Sequence, residues 1–279
     1  MAGTAHPDLG DDEALALLRD STIEPLGVLT RASNLTLLAE LHDGSGTATG
    51  HRAVYKPVRG ERPLADFPHG TLAAREVAAY LVSREGGWDL VPPTVLRDGP
   101  IGPGSLQWWV EQEPERLADP SGGLVEVLRP EELDESWLGV VEGQDEDGQA
   151  VVVAHADDAR LRSMAVLDVA LNNADRKAAH LTLDSAERLR GFDHGLCLHE
   201  HDKLRTVLWG WAGRPVPDED LTRLVRLGTA LDGTLRETLL ELLDDAEVEA
   251  LRGRVGGLRR TAVMPVPAPG RYPLPWPLW

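Results

Sequence analysis

Residues 172–195 constrain this chain more than any other stretch. They read Asn-Asn-Ala-Asp-Arg-Lys-Ala-Ala-His, then Leu-Thr-Leu, a polar break, and Leu-Arg-Gly-Phe-Asp-His-Gly. An apolar-periodic segment, 161–171, runs into them and stops at two asparagines, which serve helix interiors poorly and helix ends well. Two short apolar runs, 181–183 and 189–192, with turn residues between them, predict a hairpin. Asp175 precedes that hairpin and Asp193 follows it. Because a hairpin folds back, the two carboxylates are expected to face one space.

Composition narrows what that space can serve. With 279 residues the chain can bury one large core or two modest ones. No apolar run is long enough to insert in a bilayer, and residues 1–12 are polar and acidic, without the pattern of a signal peptide. Cys197 is the only cysteine, so no internal disulfide can form and a cytoplasmic setting is expected. Forty-six acids against 28 Lys and Arg give a net charge of −18, which disfavours nucleic acid and anionic membrane surfaces as partners. Only three lysines occur, Lys56, Lys177 and Lys203, and only three asparagines, Asn34, Asn172 and Asn173. All six fall in stretches singled out on other grounds. Lysine differs from arginine as a compact point charge with a movable pKa, so its placement points to a site that needs an ammonium.

Taken in order, residues 11–18 predict a helix opened by acids. Strands are expected at 22–30, 35–41 and 51–56, with Lys56 ending the third. Residues 71–83 predict an amphipathic helix that carries Glu76. Two more strands, 91–96 and 106–110, flank the turn Asp98-Gly99-Pro100. Residues 114–148, rich in Pro, Gly and acids, read as a connector with one short helix near 130–137, and the acid run 142–147 as a solvated loop. A strand at 151–154 and a helix at 159–171 lead to the central stretch. Helices follow at 218–231, 234–243 and 245–258. The tail, 264–279, alternates Pro with Trp276 and Trp279 and cannot be helical; it predicts an extended strap, packed by its tryptophans.

A loop Asp before a hairpin and an Asp-x-Gly after it resemble the catalytic end of the kinase fold. Asp175-Arg176-Lys177 and Asp193-His194-Gly195 are more similar to the Asp-Arg-His and Asp-Phe-Gly of phosphatidylinositol 3-/4-kinases and their bacterial relatives than to protein kinases. Over most of its length the chain resembles an actinobacterial phosphatidylinositol-3/4-kinase-like family. The matching stretches are Ala32-Ser33-Asn34, Val54-Tyr55-Lys56-Pro57-Val58-Arg59-Gly60-Glu61, Ala74-Arg75-Glu76-Val77-Ala78, residues 172–177, and Lys203-Leu204-Arg205-Thr206-Val207-Leu208-Trp209.

The resemblance implies a two-lobed α+β fold, with a β-rich small lobe over 1–111 and a mainly helical large lobe over 112–279. It implies ATP as cosubstrate and Mg2+ or Mn2+ as the supporting ion. Lys56, paired with Glu76, would hold the phosphates. The Ser33-Asn34 loop would cover them, and Val110 and Glu111 would lie at the hinge beside the adenine. Asp175, with Arg176 and Lys177, would form the catalytic loop, and Asp193 would bind metal. Where the family pattern has a metal-binding Asn, five positions after the catalytic Asp, this chain has His180. Imidazole suits Mn2+ better than Mg2+.

The activity implied is γ-phosphate transfer to a hydroxyl whose identity the sequence leaves open, and the net charge argues against a phosphoinositide. Two alternatives stand beside it, a nucleotide-binding pseudokinase without turnover and an AMP transferase on the same fold. His194, Cys197, His199 and His201 have a spacing that fits no standard closed zinc site.

Overall fold

The computed structural model describes residues 9–30, 32–111 and 121–279. Arg31 in the Ser33-Asn34 loop, the first eight residues of the acidic start, and 114–120 of the expected connector lie outside them.

Helix α1 (Asp11–Asp20) buries Ala14, Leu15 and Leu18 and opens on three acids, as its macrodipole favours. Strands β1 (Thr22–Val28), β2 (Leu37–His42), β3 (Ala48–Pro57), β4 (Thr94–Gly99) and β5 (Gly102–Trp108) form one antiparallel sheet in the order β1-β2-β3-β5-β4. Alternation along β3 turns Ala53 and Tyr55 into the core and leaves Lys56 on the other face. Tyr55 fills so much of the space over β4 and β5 that a Cβ on Gly99 or Gly104 would come within 2.8 Å of its ring.

Helix α2 (Leu72–Gly86) departs from the expected amphipathic pattern, because it is buried nearly all round. It packs against β4 and β5 on one side and against helices of the C-terminal half on the other. Arg75, 1 % exposed, donates to Glu247 at 2.5 Å and to the Cys197 carbonyl at 2.9 Å. A polar residue inside a packed helix therefore acts as a fastener between the two halves of the chain.

The stretch expected to be a connector carries a second antiparallel sheet. Strands β6 (Val125–Leu128), β7 (Trp137–Gln144) and β8 (Ala150–Ala156) are ordered β6-β8-β7. The acid run is the tip of the β7–β8 hairpin. There Asp145 accepts from the backbone of Asp147 and Gln149 and pairs with Arg129 at 2.7 Å. Those turn residues hid the strands from periodicity, and in place of the short helix there is only a 3-10 turn, Pro130–Glu132.

Helix α3 (Ala159–Leu171) starts on the Asp158 side chain, which accepts from the Arg160 and Leu161 N–H groups, and ends at Asn172 with φ of 53°. The hairpin β9 (Leu181–Leu183) and β10 (Leu189–Gly191) follows. Helices α4 (Asp218–Leu231), α5 (Thr234–Leu240) and α6 (Asp245–Thr261) close the fold. Leu224, Leu227 and Leu231 of α4 meet Leu251, Val255 and Leu258 in one buried cluster. The spacing is that of a helix face, and each such side chain contributes about 1.5–3 kcal/mol of transfer free energy.

Beyond Val263 the chain is extended. The Pro273 carbonyl accepts from Thr206 N and Trp209 Nε1, and the Leu278 carbonyl accepts from Ala178 N. Met264 and Leu274 are the buried anchors, whereas Trp276 is 79 % exposed. The tryptophans are thus not what holds this segment. Among the described residues no helix is long and apolar enough to cross a membrane.

Candidate active site

Lys56 leaves the end of β3 and meets two carboxylates. Its Nζ donates to Glu76 Oε1 of α2 at 2.5 Å and to Asp193 Oδ1 at 2.8 Å. Burial works against the ammonium, yet Asp193 and Glu76 together raise its pKa above the ordinary lysine value, so it is permanently charged. Glu76 is itself buried, and its Oε2 accepts from the His194 N–H at 3.0 Å. One glutamate thus aligns both the lysine and the backbone of Asp193-His194-Gly195.

Asp193 has φ of 60°, a left-handed conformation that Asp tolerates better than most residues. Its side chain stays 47 % exposed at the base of the cleft. Burial of the group opposes ionisation, but the Lys56 ammonium holds the carboxyl well below the usual range. His180 Nε2 lies 3.3 Å from Asp193 Oδ2. Burial lowers the pKa of His180 to about 4, so the ring is neutral at ordinary pH, and among the described residues its Nδ1 has no hydrogen-bond partner.

The loop bearing Asp175 is set from beneath by a buried network. Arg176, fully buried, forms a two-pronged pair with Asp168 of α3, Nε to Oδ2 and Nη2 to Oδ1, each 2.9 Å. It also donates to the carbonyls of His180 and Phe192, at the two ends of the hairpin. Its Nη2 lies 2.7 Å from His194 Nε2. A guanidinium cannot accept, so that imidazole nitrogen is the lone-pair side and the proton of His194 sits on Nδ1. Asn173 donates to Asp168 Oδ1 and accepts from the Asp175 N–H at 3.0 Å. Expected among the catalytic residues, Arg176 instead reaches no cleft surface: it is a positioning residue, placed there because a buried charge needs a buried partner.

Asp175 itself faces outward, 21 % exposed, with Lys177 Nζ 3.1 Å away. Burial lifts its carboxyl to about 6 against the pull of Lys177, and the negative charge of Asp193 adds to the rise. A carboxylate poised there can accept a proton near neutral pH.

Among the remaining expected site residues, Ser33 is exposed on the loop between β1 and β2. Asn34 is committed elsewhere, since its Oδ1 accepts from Arg62 N at 2.8 Å and ties this loop to the turn after β3. Val110 and Glu111 follow β5. The Glu111 carboxylate is gripped by Arg52, with Nη2 at 2.5 and 2.7 Å from its two oxygens. The N–H of the adjoining Trp109 is bonded to the Arg52 carbonyl. The Asn34 and Glu111 side chains are therefore structural, because nearby arginine and backbone groups use their oxygens. Among the described residues no group of three or more His, Cys, Asp or Glu is placed to hold a metal, so the His194–His201 run forms no closed site.

Sequence reasoning missed Asp168, His194 and the role of Asn173. Asp168 carried a signal, as a lone acid inside the apolar run 161–171, eight residues before a motif arginine. These contacts complete a mixed α+β, kinase-like fold: a lysine at a strand end, a helix glutamate, a loop carboxylate and a second carboxylate after a hairpin meet in one cleft.

No family model matches this chain. Among solved structures, the proinflammatory kinase CtkA of Helicobacter pylori is similar over 87 % of this chain and 93 % of its own, with 12 % identity and a TM-score of 0.44. Hydra Fam20, solved with sugar, is similar over 93 % of this chain and 90 % of its own, with 13 % identity and a TM-score of 0.47. Protein Rv2133c of Mycobacterium tuberculosis is 49 % identical over 272 residues, 96 % of each chain, and with that extent of identity the chain belongs to the family of Rv2133c.

Proposed function

We propose that this protein transfers the γ-phosphate of ATP to a hydroxyl group. The observation that carries the reading is the division of labour between two carboxylates at one cleft. Asp193 is locked in its charged form by Lys56, and Asp175 is held near pH 6 beside Lys177. Residues 1–111 form the small lobe in this proposal and 112–279 the large one. Lys56 neutralises the nucleotide phosphates, Asp175 takes the proton of the attacking hydroxyl, and Lys177 balances charge on the transferred group. The backbone of 33–34 and of 110–111 borders the nucleotide. The motif Asp175-Arg176-Lys177 with Asp193-His194-Gly195 supports kinship with phosphatidylinositol 3-/4-kinases, whereas the net charge of −18 favours a soluble acceptor, protein or small molecule, over a lipid headgroup. Single, buried Cys197 suits a cytoplasmic setting.

A divalent cation fits the donor set. The half-exposed carboxylate of Asp193 offers hard oxygen, and such ions commonly take one or two carboxylates plus phosphate oxygens. Asp193 would hold it with His180 beside it, and its contribution there is to neutralise phosphoryl charge. His180 also favours a second reading, nucleotide binding without turnover. If its Nε2 is the lone-pair side, the Nδ1 proton is buried without an acceptor, an arrangement that costs about 1–3 kcal/mol.

Incubation with ATP and a cell extract, followed by mass spectrometry of the protein and the small molecules, decides among the outcomes. A phosphate shift supports the proposal, an AMP shift replaces it with nucleotidyl transfer, and no shift supports the second reading. ATP with Mg2+ or Mn2+ raises the Tm on either kinase-cleft reading, and Lys56→Ala diminishes that rise. An unmoved Tm at millimolar nucleotide would end both.

A further inference from the structure

A cavity of about 800 Å3 lies away from the nucleotide cleft. It is lined by residues 200–205, the C-terminal end of α3, the middle of α6 and the extended segment 265–273. Neither Lys56, Asp175 nor Asp193 lines it. The volume falls in the range of small-molecule sites.

Its walls carry an imbalance of charge. Arg205, Arg254 and Arg271 all line it, within a chain that is otherwise strongly acidic. Arg271 is answered by Asp202, at 3.5 Å. Among the described residues, Arg205 and Arg254 form no ion pair at contact distance, and the carboxylates that act on them, Asp66 on Arg205 and Asp202 and Glu247 on Arg254, do so from farther away. Arg254 is held edgewise, Nε to the Ala170 carbonyl at 3.0 Å and Nη1 to the His199 carbonyl at 3.3 Å, and its Nη2 is buried without any partner. Burial lowers the pKa of this guanidinium to about 10, against the pull of the more distant Asp202 and Glu247. Two unpaired guanidiniums on one concave surface lack an anion, and planar forks of this kind match phosphate and carboxylate oxygens. Lys203, also in the wall, is paired with Asp66, so Glu200 and Asp202 are the two acids set against the arginines. The apolar part of the wall includes Trp209, whose indole N–H is already used by Pro273, Tyr272, Pro265 and Val266.

We propose that this cavity binds a small organic anion, a phosphate or carboxylate head on an aromatic or apolar body. The head pairs with Arg205 and Arg254, and the body lies against Trp209 and Tyr272. A ligand there braces the segment that abuts the catalytic loop. Asn172, also in the wall, donates to the carbonyls of His199 and His201 and accepts from Lys203 N, and Arg205 N donates to the Asn173 carbonyl.

The test is calorimetric titration of the full chain with phenyl phosphate, with phenylacetate, and with neutral benzyl alcohol. The proteins are wild type, Arg205→Gln and Gly253→Leu. Gly253 is exposed on α6 in the cavity wall, and a Cβ there meets nothing within 4 Å. Leucine at this position fills the cavity and is also the better helix former, so folding is retained. Wild type is expected to bind at least one of the two anions saturably. Both variants are expected to bind it at least about tenfold more weakly, with ATP affinity unchanged. Preference for phenyl phosphate or for phenylacetate identifies the head group. Equal binding of the anion by wild type and Gly253→Leu would place it elsewhere and overturn the proposal. So would binding of benzyl alcohol as tight as that of the anions, or no binding of either anion at millimolar concentration. ATP is scored separately, so this site can fail while the phosphotransfer reading stands, and the reverse.

Discussion

Two lysine–aspartate pairs lie on the same side of this molecule and behave oppositely. Lys56 and Asp193, 2.8 Å apart, fix each other in the charged state, and Glu76 gives the lysine a second acid. Lys177 and Asp175, 3.1 Å apart, share a single contact, and burial, together with the charge of Asp193, outweighs its effect. The residue types are the same; burial of Asp175 and the second acid beside Lys56 decide the outcome. On the proposed reading, a pair with a surplus acid is a binding device, and a pair whose acid is buried beside a like charge is a proton acceptor held near its working pH.

The largest effect that would test the contrast is on turnover. Asp175→Asn is expected to lower kcat by about 10²–10⁴-fold while ATP affinity stays near wild type. Equal turnover would move the base elsewhere. The same substitution carries a stability prediction of opposite sign. The folded carboxyl has a pKa of about 6 against 3.8 unfolded, so ionising it costs stability as pH rises through that window. At pH 7 Asp175→Asn is expected to stabilise by on the order of 1 kcal/mol, read in urea unfolding.

Next in size is the support beneath both pairs. Arg176→Met strands the Asp168 carboxylate in the core and is expected to cost about 3–5 kcal/mol, whereas joining it to Asp168→Leu recovers most of that loss. If the single and double variants unfold alike, the pair is not the keystone of the loop.

The pH profile sharpens the contrast further. Below about pH 6 turnover falls about tenfold per unit as Asp175 protonates, while nucleotide binding, set by the ever-charged Lys56, stays level. Parallel decline of both would erase the distinction between the pairs.

The smallest effect concerns His180. His180→Asn is expected to shift the metal preference of nucleotide binding toward Mg2+ by a few-fold, about 1 kcal/mol or less. Superimposable Mg2+ and Mn2+ curves for both proteins would make the ring a hydrogen-bond partner of Asp193 and nothing more.

The cleft was legible in the sequence where local signals were strong. Lys56 ends a strand of clear alternation, and Asp175 and Asp193 flank a hairpin short enough to bring them together. Arg176 was misread because a motif does not say which side of its loop is wet; only Asp168, contributed by the preceding helix, turns it inward. The second sheet was obscured because β7 runs directly into the acids Asp145, Glu146 and Asp147 that make its turn, and charge outweighed alternation. The oxygens of Asn34 and Glu111 were claimed by Arg62 N and Arg52, partners 28 and 59 residues away that no local pattern exposes.

Adjacent residues on one helix lead to a last consequence. Arg75 and Glu76 point about 100° apart around α2, one fastened to Glu247 of α6 and the other to Lys56. Swinging that helix outward, a move by which kinases can disengage their lysine, would here have to break a buried ion pair as well. At about 3 kcal/mol or more, that confines the disengaged form to fewer than about one molecule in a hundred. On the proposed reading the lysine–glutamate contact is therefore held engaged, and a helix swing is closed to this protein as a means of control.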